Sequence, residues 1–127
     1  MEVIKKFFDE EKAIKSVKQA QEDLNAAKEE ARKAEESYID AIDSSTEAQK
    51  KLEEAEKRTG QTGADLFKQV QDGTLDYANM TDAQKEVYKA YLQNEDAQRE
   101  LKETTEALAK AKQEETKASF ENDLALA

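Results

Sequence analysis

The sequence predicts an all-α protein, a long antiparallel helical hairpin in the style of an alanine-rich coiled coil, with a short helix in its connector. Three observations carry this. Alanine recurs at every seventh position in two separate series, with Thr104 standing in once in the second. Proline is absent from the chain. The three glycines, Gly60, Gly63 and Gly73, all fall in the stretch between the two series. A seven-residue repeat keeps one narrow stripe of a helix against a partner, and alanine on that stripe lets two backbones come close.

Composition narrows the classes first. Of the 127 residues, 39% are charged, 37% apolar and only 6% aromatic, too polar for an ordinary compact core. That leaves a disordered polyampholyte or long helices with a thin apolar stripe, and the periodicity selects the helices. The length fits a single helical-hairpin segment, residues 1–127. The net charge of −10 disfavours direct nucleic-acid binding, which needs surplus bases to release counterions. It equally disfavours anionic membrane surfaces. No stretch is apolar enough to span a bilayer, and the opening Met1-Glu2-Val3-Ile4-Lys5-Lys6-Phe7-Phe8 lacks the apolar run of a signal peptide. Cysteine is absent, so there is no disulfide framework.

The first helix is expected over residues 2–58. One seam position, d, holds Ala13, Ala20, Ala27, Ala34, Ala41, Ala48 and Ala55. Position a holds Val17, Leu24, Ala31, Tyr38, Ser45 and Leu52. Glu29 with Lys33, Glu47 with Lys51 and Glu53 with Lys57 lie four apart in the favourable order, each pair adding about 0.2–0.5 kcal/mol. Thr59-Gly60 ends this helix, because Gly60 suits the left-handed residue after a C-terminus, where Lys57 and Arg58 complement the dipole.

Residues 59–80 form the connector. Within it a short amphipathic helix is expected over residues 64–72, bracketed by Gly63 and Gly73, with Leu66, Phe67 and Val70 on one side. These, with Leu75, Tyr77 and Met80, are placed to cover the end of the helix pair. Thr81 and Gln84 then spell a capping box that opens the second long helix, expected over residues 82–125. Its d positions are Ala83, Ala90, Ala97, Thr104, Ala111, Ala118 and Ala125, and its a positions Val87, Asn94, Leu101, Leu108, Glu115 and Asn122. Matching the two alanine series end to end sets Ala55 opposite Ala83, Ala41 opposite Ala97, Ala27 opposite Ala111 and Ala13 opposite Ala125. Ser45, Asn94, Glu115 and Asn122 interrupt the seam, and polar seam residues lower stability while fixing register. Tyr38, Ile39, Ile42, Tyr88, Tyr91 and Leu92 exceed what one alanine seam can bury, so self-association into a four-helix bundle is expected. The chain stops on Leu124-Ala125-Leu126-Ala127, still in heptad phase and without a terminating signal, as a piece of something longer would.

Chemistry finds little support. Helical-bundle metal sites combine carboxylates with histidine, and the chain has neither histidine nor cysteine. The acidic clusters Glu29-Glu30, Glu35-Glu36 and Glu53-Glu54 are interleaved with lysine, as on a solvated helix face. Asp72-Gly73-Thr74-Leu75-Asp76 is too sparse for a calcium loop and reads as a turn. Ser44, Ser45 and Thr46 have no histidine base, and Gly60-Gln61-Thr62-Gly63 lacks the Gly-Lys-Ser/Thr ending of a phosphate loop. No enzyme activity, catalytic residue, metal or cofactor is expected. Phe7 and Phe8 are expected beside Phe120 and Leu124, or else as a docking patch for another subunit. Phe67 and Met80 are likewise connector core or a partner patch.

The run Gly63-Ala64-Asp65-Leu66-Phe67-Lys68-Gln69-Val70-Gln71-Asp72-Gly73, then Met80-Thr81 and Tyr88-Lys89-Ala90-Tyr91 leading into a long Lys/Glu/Ala helix, resembles stretches of phage tail tape-measure proteins from Gram-positive hosts. The resemblance covers residues 60–127 and the general character of the rest, and has no diagnostic motif. It implies a fragment of a far longer structural protein inside the virion tail, made in the host cytoplasm, whose length sets tail length. It implies self-association and contact with other tail proteins during virion assembly, and transfers no site residue. Two rivals are an acidic helical module docking on a basic surface, as a nucleic-acid mimic or inhibitor would, and a fragment of a surface-attached helical rod.

Overall fold

The structure, a computed structural model, describes residues 16–127. Among them lie α1 (Val17–Thr59), α2 (Gly63–Gln71), a 3-10 turn (Tyr77–Asn79) and α3 (Asp82–Leu126). The two long helices pack against each other as a hairpin, as the repeat predicts. The expected helix over residues 2–15 lies outside the described residues, and so do Ala13, Phe7 and Phe8. At Ser16 the hydroxyl accepts from the Gln19 N–H at 3.2 Å, and α1 opens at Val17. A serine in this role is an N-cap. Ser16-x-x-Gln19 has the same spelling as Thr81-x-x-Gln84, but the Gln19 side chain turns forward to Asp23 at 2.9 Å instead of back.

The ends of the elements follow local chemistry. α1 runs one residue past Arg58, and Gly60 follows at φ 70°, donating its N–H to Glu56 O at 2.9 Å. α2 starts one residue before the expected helix and ends one before. Thr62 caps it, accepting from the Asp65 N–H at 3.2 Å, and the Glu56 carboxylate accepts from the Gly63 N–H at 2.8 Å. At its far end Gly73 takes φ 75°, with Gly73 N–H to Val70 O and Thr74 N–H to Gln69 O, the bonding of a Schellman motif. The expected capping box forms in full: Gln84 N–H to Thr81 Oγ1 at 3.1 Å, and Thr81 N–H to Gln84 Oε1 at 2.9 Å.

By packing the chain divides into two units, one of Tyr38–Thr104 and one of Met1–Ser37 with Thr105–Ala127. In the first, Leu52 and Ala55 of α1 close with Val87 and Ala90 of α3 around Leu66 of α2. Ala41 and Ser45 are also buried, while Tyr38, Ala48, Asn94, Ala97, Leu101 and Thr104 are half-buried. In the second, Ala20, Ala31 and Ala118 are buried, and Leu24, Ala27, Ala34, Leu108, Ala111, Glu115, Asn122 and Ala125 are half-buried.

Two expected seam residues are exposed, Val17 in the first turn of α1 and Ala83 in the first turn of α3. Ala55 belongs instead with Val87 and Ala90, about one turn further along. Consistent with this shift, Ser45 is reached by Gln98 and Arg58 by Glu86. The reason lies in how antiparallel helices face. Each Cα–Cβ bond tilts toward its own helix N-terminus, so the tilts of antiparallel partners oppose. Matching alanine to alanine leaves position a of each helix opposite residues off the partner's seam. A one-turn shift brings a of one helix against d of the other, so that Leu52 and Val87 gain burial beside alanines.

Candidate functional site: the seam and its cap

The candidate site is the packing surface itself. Its best-filled part is the cap in the Tyr38–Thr104 unit. Leu66 and Val87 are fully buried, and Met80 is 6% exposed. Leu75, Tyr88 and Tyr91 pack against this cluster. Phe67 lies over Tyr91 with ring centroids 5.5 Å apart and over Tyr88 at 6.5 Å, and Tyr88 meets Tyr77 at 6.0 Å. Such ring pairs add about 0.5–1.5 kcal/mol each beyond their area. The Lys85 ammonium sits 5.3 Å from the Tyr77 ring centre, within cation–π range.

This geometry settles part of the expected partner patch. Met80, which follows the 3-10 turn, is buried rather than on the surface. Phe67 is half-buried among tyrosines of α3. Tyr88 and Tyr91 are also absorbed here, which removes them from the apolar surplus. Ile39, Ile42 and Leu92 remain exposed, at 51%, 37% and 38%.

Gly63 has a role that its reading as a helix bracket missed. A Cβ built on it would fall 2.5 Å from Tyr91 Cβ and 2.9 Å from the ring. The first turn of α2 therefore presses its bare backbone onto α3, and only glycine fits. Burial raises the Tyr91 phenol above its ordinary value of 10.0, helped by the charge of Glu95 and a hydrogen bond with it.

The polar seam residues in this unit are satisfied by a neighbour outside the a and d positions. Ser45, 6% exposed, has its hydroxyl reached by Gln98 Nε2 at 2.6 Å, and the same nitrogen donates to Asn94 Oδ1 at 3.3 Å. Further bonds join the elements: Arg58 to Glu86 at 2.7 Å and Gln84 Nε2 to Gln61 Oε1 at 2.8 Å. Nothing in the spacing marks Gln98, because a glutamine on a charged helix face looks like any other solvated residue.

The other unit is built differently. Ala26, Ala27 and Ala34 face Ala107 and Ala111 across a groove of about 520 Å³, edged by Glu30, Lys33, Lys110 and Glu114. Asn122 keeps a buried Oδ1 with no hydrogen-bond partner among the described residues. Phe120, Leu124 and Leu126 are 63%, 42% and 60% exposed. On the surface, Arg32 bonds Glu29 at 2.6 Å and also Glu36. The Arg32 hydrogen bond holds the Glu29 carboxyl below the usual carboxylate range, and Glu29 in turn raises Arg32. The expected Glu47–Lys51 pair forms at 3.5 Å. These are exposed pairs and contribute little stability.

Among the described residues no group of three or more acidic, histidine or cysteine side chains is placed to hold a metal, and no helix is long and apolar enough to cross a membrane. No known protein family matches the chain, and neither a curated protein nor a solved structure is detectably similar to it.

Proposed function

We propose that this chain is a non-enzymatic structural element, a coiled-coil segment of a phage tail tape-measure protein that supplies helical length and self-association. The carrying observation is the pair of helices of 43 and 45 residues joined along an alanine seam. Such a seam has one evident use, close helix packing over a long distance, and each seven-residue repeat adds about 10.5 Å of rise. The exposed Ile39, Ile42 and Leu92 support association with further helices, whether of a second copy or of other tail proteins. The virion tail interior is the place this reading assigns it.

An acidic docking module is the weaker reading. The Arg32, Lys51, Arg58 and Arg99 ion pairs scatter positive charge among the acids, which breaks up a continuous anionic face. The test of the tape-measure reading is genetic. Deleting matched heptads from both helices, in the phage or prophage gene that carries the segment, should shorten tails in electron micrographs. Tails of unchanged length, or a gene outside any tail operon, would contradict it.

A further inference from the structure

We propose that the unit formed by residues 17–37 and 105–126 opens reversibly, its two helical arms separating while the Tyr38–Thr104 unit stays closed. This inference is independent of the tape-measure reading. Three observations converge on it. First, among the described residues of this unit the buried apolar side chains are Ala20, Ala31 and Ala118, among the smallest available, while Leu24 and Leu108 are only half-buried. Separating the arms therefore exposes little apolar surface beyond what water already reaches. Second, a groove of about 520 Å³ open to solvent runs along Ala26, Ala27, Ala34, Ala107 and Ala111, so water already reaches part of this seam. Third, the seam carries Glu115 and Asn122, and the buried Asn122 Oδ1 has no partner among the described residues. Opening returns that oxygen to water, so closure costs a hydrogen bond that opening restores.

The open state is a pair of helices rather than unfolded chain. The arms are rich in alanine, glutamate and lysine, all strong helix formers, and each continues a helix of more than 40 residues, well past the length at which isolated helices become marginal. Low-stability openings of this kind are the ordinary source of segmental motion in folded proteins.

The full chain contains no cysteine, so single thiols report access cleanly. Ala31→Cys probes the opening unit and Ala55→Cys the closed one, from sites that are 2% and 3% exposed. Ala118→Cys is a second probe of the opening unit. Under native conditions, with helix content followed by circular dichroism, the Ala31 and Ala118 thiols should react with a disulfide reagent at least roughly tenfold faster than the Ala55 thiol. Adding Glu115→Leu and Asn122→Leu should slow the Ala31 thiol by roughly tenfold and leave the Ala55 thiol unchanged, since it removes the polar groups that favour opening. Equal reactivity at all three sites would overturn the proposal. So would reaction at Ala31 only at the rate of global unfolding, or no effect of the leucine pair.

Discussion

The two units are written in the same heptad alphabet and packed to different standards. In Tyr38–Thr104 the alanines sit beside Leu52, Val87 and Leu66, with a ring of aromatic side chains above and a satisfied serine within the seam. In the other unit, alanines line a groove and an asparagine oxygen is left unpaired among the described residues. Regular spacing therefore guarantees helices that can meet, and says little about how firmly they meet. Firmness comes from residues outside the repeat, here the connector.

The largest test of that contrast is Leu66→Ala. It removes a fully buried side chain from the cap and should cost about 2–5 kcal/mol in urea unfolding. The half-buried Leu108→Ala should cost clearly less. A comparable loss at both sites would erase the distinction between the units.

Gly63→Ala comes next. Its methyl group would collide with Tyr91, and overpacking of this kind costs about 1–3 kcal/mol. Combining it with Tyr91→Ala should relieve part of the penalty, so the two losses should fall short of adding. Simple additivity would mean that the close approach is not what constrains the site.

The same leucine should behave differently in the two units. Ala41→Leu, at a buried seam position, should wedge the helices and lower stability by about 1–3 kcal/mol. Ala34→Leu enters the groove, where there is room, and should cost less than half as much. Thermal melts of the two single variants, read at equal concentration, make the comparison.

Gln84→Ala removes half of the reciprocal cap on α3 and its bond to Gln61, for about 1 kcal/mol. The smallest effect is in the pH dependence of the arm surface. Arg32 favours the ionised form of Glu29 in the folded state, so its folded pKa is depressed. The contribution is present above the unfolded carboxyl pKa and is lost as pH falls through the folded value. NMR titration should find Glu29 ionising below the ordinary glutamate range, and Arg32→Gln should bring it back.

What was legible in the sequence follows from what each signal encodes. Seven-residue spacing and the lack of proline gave both long helices. Gly60 and the Thr81–Gln84 box marked two ends correctly because those signals act locally. Thr62 is an equally local cap, and the heptad spacing does not contain it. The register was a harder matter. Equal alanine series suggest alanine facing alanine, but antiparallel geometry sets a against d, which leaves Ala83 in solvent and puts Ala55 with Val87. Gly63 depends on how α2 lands on α3, a contact between residues distant in sequence that no spacing rule contains. Gln98 shows the same limit from the polar side.

Amide hydrogen exchange resolved by residue tests the central claim most directly. If the cap carries the stability of the hairpin, the amides of residues 49–58, 66–71 and 85–95 should exchange only through global unfolding, while those of residues 20–35 and 107–124 exchange orders of magnitude faster through local opening. Uniform protection along both long helices would contradict it, because the repeat alone would then be enough to hold the helices together.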